Sequence, residues 1–270
     1  MALIFAVIFA TLAFVTVGCA SVANLGGGGG DGDTIYVPEG GNQTIQQAVN
    51  NATAGDTIIV RDGVYTENID VNKRLTIRSE NGSDFTIVQA ANSNDHVFEV
   101  TVDYVNISGF TVDGAKGAEW SKSGIYLEAN YSIIANNNCS NTTGGIRLQR
   151  SNTNTIENNI CSSNGFDGIE LYVSNNNIIA NNNCSNNHGN GIYFRESNSN
   201  NNTIVNNICS SNYYDGIALW YYTYNNTIVN NICFYNTNGI YLLESNNNII
   251  ANNNCSNNHG WYLFPLFKQQ

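Results

Sequence analysis

The chain has 270 residues, a formal net charge of −11 and a sequence pI near 4.5. This length is enough to bury a core, and one elongated domain could use nearly all of it. Only ten residues are Lys or Arg, and they are scattered along the chain. Nucleic-acid binding requires clustered basic residues that displace counterions, so the composition excludes nucleic acid as a partner.

The first segment predicts export. Residues 1–18 are uncharged and almost wholly apolar, as in the hydrophobic part of a secretory signal. Gly18-Cys19 resembles the end of a lipoprotein signal, in which Cys19 is lipidated after cleavage. Ordinary cleavage and an uncleaved anchor are the alternatives, since about 18 apolar residues can just span a bilayer. All three place the protein at the cell surface, outside the cell or in the periplasm, with membrane contact only through this anchor.

Residues 19–33, with five consecutive glycines, are predicted to form a flexible tether. Residues 34–264 then form the predicted folded domain. After a first strand, apolar residues at 45, 48 and 49 have helical spacing, Thr44 is the predicted N-cap, and Gln47 completes a capping box. We expect this short helix to cover the open first coil of a repeat stack. From Thr57 to Ile107, short β-branched segments with period-two alternation predict strands.

From Ile134 onward one six-residue motif recurs six times: Ile, any residue, Asn, Asn, any residue, Cys. The steps between its cysteines are 22, 23, 25, 24 and 22, so the period is about 23 residues, as in solenoids. Each later coil also begins with Gly-Ile-x-Leu or a near variant, whose Ile and Leu are predicted to point inward and whose intervening residue is predicted to point outward. Such short strands pair in parallel with their counterparts one coil later. The predicted fold is therefore all-β, a parallel β-helix of three short sheets.

Asparagine is the predicted corner residue, because it tolerates left-handed backbone angles and its amide can bond to the amide one coil above. We expect the first asparagine of each pair to form the inward ladder: Asn136, Asn158, Asn181, Asn206, Asn230 and Asn252. A disordered low-complexity tract is the alternative, but the regular inward Ile and Leu oppose it.

Six of the seven cysteines recur at one place in the coil. Parallel Cβ vectors about 4.8 Å apart fit a disulfide poorly, so we expect reduced thiols packed as small core residues. A metal-binding column of thiols is the alternative.

These coils, with their opening Thr44-to-Tyr65 segment, resemble right-handed parallel β-helix proteins of the pectin-lyase-like class across about residues 34–264. They are most similar to the NosD-type repeat family, often labelled periplasmic copper-binding. Copper binding would need suitable ligands, yet the only Met is Met1 and the histidines are His96, His188 and His259. The last two lie three coils apart, about 14 Å at the spacing of stacked strands, too far to share one metal. We predict no metal site and no cofactor.

In this fold, ligands meet the outward side chains. Two outward files combine aromatic, amide and charged residues, which suits a sugar-binding strip, since rings stack on a pyranose and polar groups bond its hydroxyls. The alternative is that Tyr and Trp simply favour an exposed sheet. The predicted ligand-binding residues are Tyr126, Arg147, Glu170, Tyr172, Tyr193, Arg195, Trp220 and Tyr241.

Three carboxylates, Asp167, Glu170 and Asp215, are the candidates for acid–base catalysis. Both aspartates precede a coil glycine, where a purely structural turn role is the favoured explanation. The motifs of polygalacturonases, pectate lyases and alginate epimerases are absent from the sequence. The leading functional prediction is a non-catalytic carbohydrate-binding or adhesin-like module on the cell surface. A polysaccharide-active enzyme is the second hypothesis, and a structural spacer or filament subunit is the third.

The C-terminal residues predict a cap. Trp261 to Phe267 is bulky and apolar, and we expect a last strand and lid over the final coil, with residues 265–270 as the tail. A dimer contact or a truncated reading frame is the competing explanation, and end-to-end self-association through this patch would make a filament.

Overall fold

The computed structural model describes residues 32–38, 43–117, 122–195 and 198–260. These residues form an all-β parallel solenoid of about nine coils with a single short helix, as the sequence predicts. Each full coil visits three sheets in the same order, named here sheets A, B and C. Every strand pairs in parallel with its counterpart in the next coil.

Sheet A has ten strands in chain order. They are Thr34–Val37, Thr57–Val60, Thr76–Ser79, Asn106–Ser108, Ile133–Ala135, Thr155–Glu157, Ile178–Ala180, Thr203–Val205, Thr227–Val229 and Ile249–Ala251. From Ile133–Ala135 to Thr227–Val229 the central isoleucine of each strand is fully buried and pairs with the isoleucine one coil away, while Ile250 in the last strand is partly buried.

Sheet B is the least continuous. Four strands pair in one group: Gly63–Thr66, Thr86–Gln89, Thr111–Asp113 and Asn138–Cys139. Two more, Ile208–Ser210 and Ile232–Phe234, form a second group, and single β-bridges through Ile160 and Asn183 connect the two groups.

Sheet C has eight strands and carries the Gly-Ile-x-Leu segments. They are Ile69–Val71, Phe98–Val100, Ser123–Leu127, Gly144–Gln149, Ile169–Tyr172, Ile192–Arg195, Asp215–Trp220 and Asn238–Leu243. The predicted inward residues are confirmed as core, because all six pairs from Ile125 and Leu127 to Ile240 and Leu242 are buried.

The six repeat cysteines, all among the described residues, stack in one file along this core. Cys209 and Cys233 are direct strand partners, and the flanking bridges keep the other four in the same register. Five are buried and Cys255 is partly exposed. Burial raises the pKa of the Cys139 and Cys184 thiols, which keeps them protonated, and neighbouring thiols hydrogen-bond along the file. The prediction of thiols packed as small core residues is confirmed.

The predicted asparagine ladder was assigned to the wrong member of each pair. The first asparagines, Asn136, Asn158, Asn181, Asn206, Asn230 and Asn252, are exposed at φ of 56° to 58°, the left-handed region. The second asparagine turns inward. Asn207, for example, is fully buried, donates to the Ile179 carbonyl at 2.9 Å and the Asn231 side chain at 3.0 Å, and accepts from the Asn182 backbone at 2.9 Å. At each corner the first asparagine thus adopts the left-handed backbone, and the second provides the buried amide that bonds to neighbouring coils.

Two further inward ladders run parallel to this one. Their members are Asn154, Asn177, Asn202, Asn226 and Asn248 in one, and Asn164, Asn187, Asn212, Asn236 and Asn258 in the other. Each side-chain oxygen accepts from the coil before, and each amide group donates to a carbonyl further back along the stack. Buried corner carbonyls and amides are thereby satisfied, as a solvent-free core requires.

The N-terminal cap also forms as predicted. Helix α1 spans Ile45–Asn51, Thr44 and Gln47 form the capping box, and Ile45 and Val49 are buried against the first coil. Glu67 accepts the Ile45 and Gln46 backbone amides at 2.9 Å, which stabilises the helix start.

Several predictions lie outside the described residues: the export segment 1–18, the lipidation of Cys19 and the lid from Trp261 to Phe267. In the part of the chain that the structure describes, no helix is long and apolar enough to cross a membrane.

Candidate functional site: an aromatic cavity on sheet C

The outward residues of sheet C stand in two adjacent files. In the first, Arg147 pairs with Glu170, and Glu170 pairs with Tyr193. In the second, Tyr172 pairs with Arg195. The vertical alignment that the repeat predicts is therefore present, and side chains from neighbouring coils meet.

A cavity of about 610 Å³ lies on this face, within the size range of small-ligand sites. Its floor and one wall are formed by Glu170, Tyr193, Arg195, Trp220 and Tyr221. The turns that precede the sheet C strands form the other wall: Phe166, Asp167, Gly189, Asn190, Tyr214 and Asp215.

The turns before the sheet C strands, which form the second wall, contain small insertions. From the inward ladder residue to the coil glycine the chain takes three steps at Thr142–Gly145 and Asn236–Gly239. It takes four steps in the three coils between them, which begin at Asn164, Asn187 and Asn212. These longer turns carry the lining residues Phe166, Gly189 and Tyr214.

The segments after the sheet C strands also differ in length, and the opposite wall includes Tyr221 from one of the longer segments. From the end of the strand to the next inward polar residue the chain takes two steps at Gln149–Ser151 and Leu243–Ser245. It takes four at Arg195–Ser199 and three at Trp220–Thr223. Together with the first set, these insertions account for every cysteine step that exceeds 22, namely 23, 25 and 24.

Two aspartates occupy one file of the turn wall. The Asp167 Oδ1 atom accepts the Asn190 backbone amide at 2.6 Å and its side-chain amide at 2.9 Å. Asp215 Oδ1 accepts the corresponding groups of Asn238 at 3.2 and 2.7 Å. Asn190 connects the two, since its own side-chain oxygen accepts the Asp215 amide at 3.1 Å. Both carboxylates therefore have the structural turn role that the sequence favours, and both also line the cavity.

Burial makes the ionisation of these aspartates less favourable. It raises the pKa of Asp167 to about 6, although the Asn190 hydrogen bonds oppose the shift. It also raises the pKa of Asp215, against the bonds from Asn238. Gly189 allows the Asp167 turn to approach closely, because a Cβ there would lie 2.5 Å from Asp167 Oδ1.

Glu170 lies on the floor between two guanidinium groups. Its carboxylate oxygens are 3.8 Å from Arg147 Nη1 and 3.6 Å from Arg195 Nη1, and only 8% of the residue is exposed. The ion pairs neutralise Glu170 and fix Arg195 at the edge of the cavity.

The aromatic side chains provide the apolar surface. The Tyr193 and Trp220 rings meet edge to face with centroids 5.3 Å apart, and Tyr221 meets Trp220 in the same way at 6.3 Å. Phe166 and Tyr214 face them from the turn wall, about half exposed. Perpendicular rings offer flat faces in more than one direction, as a non-planar apolar ligand requires.

The cavity contains only part of the predicted strip. Glu170, Tyr193, Arg195 and Trp220 line it, together with the catalytic candidates Asp167 and Asp215. Four predicted ligand residues do not: Tyr126, Arg147, Tyr172 and Tyr241. Tyr126 stacks on His96 with ring centroids 4.4 Å apart, and burial raises the pKa of its hydroxyl to about 12.

Three aromatic lining residues were not among the predictions, namely Phe166, Tyr214 and Tyr221, and neither were Gly189 and Asn190. They lie in the inserted turns, outside the regular coil pattern from which the two files were read. The sequence did contain a signal for them, because the coils with cysteine steps of 23, 25 and 24 are the coils that carry the cavity.

The described residues include no group of three or more His, Cys, Asp or Glu side chains arranged to hold a metal ion. His188 instead contacts the Asn164 carbonyl through Nδ1 at 3.3 Å, in the turn wall.

The family of this chain is decided by its sequence. The family model described as right handed beta helix region matches residues 73–233 and 123–264. The chain belongs to the right-handed β-helix family. Membership of this family means that the solenoid is right-handed, as the resemblance of its coils to β-helix proteins implied.

This β-helix protein is also similar to a known surface protein and to solved structures. Over 86 residues it is 42% identical to a cell surface glycoprotein of Methanothermus fervidus, which covers 31% of this chain and only 13% of that protein. Its fold is similar to that of pectate lyase Pel9A, with a TM-score of 0.64 and 15% identity over 80% of this chain and 69% of that one.

Two further solved structures share the fold. The A-module of the Azotobacter vinelandii mannuronan C-5 epimerase AlgE6 gives a TM-score of 0.57 and 16% identity over 77% of this chain and 69% of that one. The catalytic domain of Agl-KA gives 0.61 and 18% over 82% and 47%. At such identities these likenesses show the fold alone.

Proposed function

We propose that this chain is an exported β-helix module that binds a glycan in the cavity of sheet C. The main support is the aromatic lining, where Tyr193, Trp220 and Tyr221 face Phe166 and Tyr214 across about 610 Å³. Aromatic rings bind the apolar faces of sugars, and the nearby carboxylates and amides are suited to their hydroxyls.

The insertions support a specific role for this part of the solenoid. A spacer or filament subunit needs only regular coils, whereas here the coils between Cys161 and Cys233 depart from the 22-residue step on both flanks of one sheet. Those departures bring Phe166, Tyr214 and Tyr221 beside Tyr193 and Trp220 of the strands, around a single opening. A binding function accounts for this concentration, and a purely structural one does not.

A glycan array with the wild-type protein and the Tyr193→Ala/Trp220→Ala variant tests the proposal. We expect the variant to lose binding to every glycan that the wild type retains. The matched control is Tyr104→Ala/Tyr131→Ala, which removes another pair of stacked tyrosines, 4.9 Å apart and about half exposed, outside the cavity. Unchanged binding by the cavity variant would contradict the proposal.

A polysaccharide-active enzyme is the second candidate function, favoured by one observation. Burial raises the pKa of Asp167 to about 6, as in a general acid, and Asp215 lies in the same cavity. Release of reducing ends or unsaturated uronates from polysaccharides by the wild type, but not by Asp167→Asn, would establish it. The solved structures of similar fold include proteins named as a pectate lyase and an epimerase, whose activities are their own.

Export is part of the same proposal. It is supported by the apolar segment 1–18 and by the partial relative named as a cell surface glycoprotein. We propose lipidation at Cys19, which mass spectrometry of membrane fractions and a Cys19→Ala variant would test. End-to-end association through the C-terminal patch remains an additional proposal, and sedimentation of the full chain would measure it.

The NosD-type assignment also remains a proposal, drawn from the coil pattern. Its copper label is not carried into the proposed function. His188 and His259 belong to different coils, and the proposed ligand contacts are aromatic rings and carboxylates.

A further inference from the structure

The cavity has an uneven distribution of charge. Three carboxylates line it, from Asp167, Glu170 and Asp215, but Arg195 is its only cationic lining residue among those described. Arg195 and the neighbouring Arg147 both lie within 4 Å of Glu170. With both arginines counted, the three ionised carboxylates leave a net negative charge at the site, on a chain whose total is already −11.

Asp215 is the least compensated of the three carboxylates. Its Oδ1 atom accepts both Asn238 donors, while no described residue donates a hydrogen bond to its Oδ2. No described Lys, Arg or His lies within 4 Å of it. Asp167 has the same arrangement, with Oδ1 occupied by Asn190 and Oδ2 without a described donor. The Oδ2 atoms of these two carboxylates thus have no hydrogen-bond donor among the described residues.

The neighbouring coils show that these charges are not needed by the turn. The same slot holds Asn190 and Asn238. Asn190 makes the equivalent contact without a charge, since its Oδ1 atom accepts the Asp215 backbone amide at 3.1 Å. An aspartate here costs more than an asparagine, because burial opposes its ionisation. The carboxylates at 167 and 215 therefore call for an explanation beyond the fold.

We propose, on the basis of the proposed glycan-binding function, that the cavity selects sugars carrying a free amino group and discriminates against uronic acids. An ammonium group beside Asp215 would form a charge-assisted hydrogen bond, and the faces of Trp220 and Tyr221 attract cations. A uronate would place a further carboxylate beside Asp215, the least compensated of the three, and be repelled.

The test compares three oligosaccharides of equal length by isothermal titration calorimetry at low salt: oligoglucosamine, its N-acetylated counterpart and oligogalacturonate. We expect the amine to bind at least about tenfold more tightly than the N-acetylated sugar, and oligogalacturonate to bind most weakly. Added salt should reduce the difference between the first two, since screening weakens charge attraction.

Asp215→Asn is the decisive variant, because asparagine already occupies this slot in adjacent coils. It should bring the affinities for the amine and the N-acetylated sugar close together without abolishing the binding of either. Asp84→Asn, an exposed aspartate outside the cavity, removes the same charge and should preserve the preference.

The outcomes separate the two proposals. Equal binding of the amine and the N-acetylated sugar by the wild type, or tighter binding of the uronate, overturns the charge selection and leaves glycan binding intact. Retention of the full preference in Asp215→Asn also overturns it. Absence of binding to any sugar here and on the array overturns the proposed function itself.

Discussion

Each corner of the later coils carries two adjacent asparagines, and substitutions at one corner can separate their roles. Asn207→Ala removes a buried amide that serves the Ile179 carbonyl, the Asn231 side chain and the Asn182 backbone. Because several buried polar groups lose their partners, we expect a loss of about 3 kcal/mol or more in the free energy of unfolding. Denaturant unfolding followed by circular dichroism measures it.

The exposed neighbour provides the matched control. Asn206 has φ of 58°, which glycine adopts without steric cost. We expect Asn206→Gly to change stability by less than about 1 kcal/mol, and Asn206→Ala to cost about 1–2 kcal/mol because of the left-handed backbone. If Asn206→Gly were as damaging as Asn207→Ala, the division of roles within the pair would be wrong.

A second prediction at the residue scale concerns the pH dependence of stability. Burial raises the folded-state pKa of Asp167 from an ordinary value near 4 to about 6. The folded state therefore binds this proton more tightly than the unfolded state does. Its contribution is fully present below about pH 4, declines as the pH rises to about 6, and is lost above that.

Asp167→Asn should remove this dependence. Asparagine keeps an oxygen for the Asn190 donors and carries no charge to desolvate, so the variant should be more stable than the wild type at pH 8. The difference should shrink as the pH falls from about 6 towards 4. Thermal unfolding of the wild type and of Asp167→Asn at pH 8 and at pH 4 measures this difference in stability. Asp84→Asn is the control for the loss of one negative charge. A wild type that is more stable than Asp167→Asn at pH 8 would contradict the burial of this carboxyl.

At the scale of elements, the inserted turns should determine binding and not folding. Trp220 to Thr223 is one residue longer than Leu243 to Ser245. Deleting Tyr222 restores the shorter length and also removes a non-glycine residue at φ of 55°. We expect the β-sheet spectrum to be retained and glycan affinity to fall by about tenfold or more, because Tyr221 moves into the corner and the wall it forms is lost.

Tyr222→Ala is the control for this deletion. It removes the same side chain, which does not line the cavity, and keeps the length of the turn. Its affinity should stay close to that of the wild type. If the two variants bind equally, the length of the insertion has no part in the site.

The same elements show what the sequence could predict. The spacing of Ile and Leu in sheet C and the thiol file follow from periodicity and from the parallel stack, and the structure has both. These features depend only on which residues are buried in every coil. Burial is the property that a repeated pattern records most directly.

Two other features depend on geometry that a pattern does not record. Which asparagine of a pair turns inward depends on where the corner bends relative to the strand, and two identical residues give no indication of it. The cavity arises where coils differ from one another, so averaging over the repeat hides it. The two outward files predicted Tyr193, Arg195 and Trp220, whereas Phe166 and Tyr214 lie in the insertions.

At the scale of the whole molecule, each coil contacts mainly its neighbours, so coils should be separable units. In such stacks stability is nearly a sum over repeats and the interfaces between them. The cavity occupies only the coils that contribute Phe166 to Tyr221. Changing the number of coils elsewhere should therefore leave binding unaltered.

A pair of coil variants tests this independence. The first inserts a second copy of residues 140–161, one coil of 22 residues, directly after Cys161. The copy nearer the cavity keeps Arg147 beside Glu170, so we expect the insertion to fold, to lengthen the molecule by one coil and to bind the same glycans. Circular dichroism, small-angle scattering and the glycan array provide the measurements.

The second variant deletes residues 185–209, the 25-residue coil that carries Tyr193 and Arg195. Cys184 then precedes Ser210, so the thiol file and all three inward asparagine ladders continue in register across the junction. We expect this shorter protein to fold and to lose glycan binding entirely, because one level of the cavity is missing. Unfolding of both variants would contradict an in-register stack of separable coils, and retained binding after the deletion would place the ligand elsewhere on the solenoid.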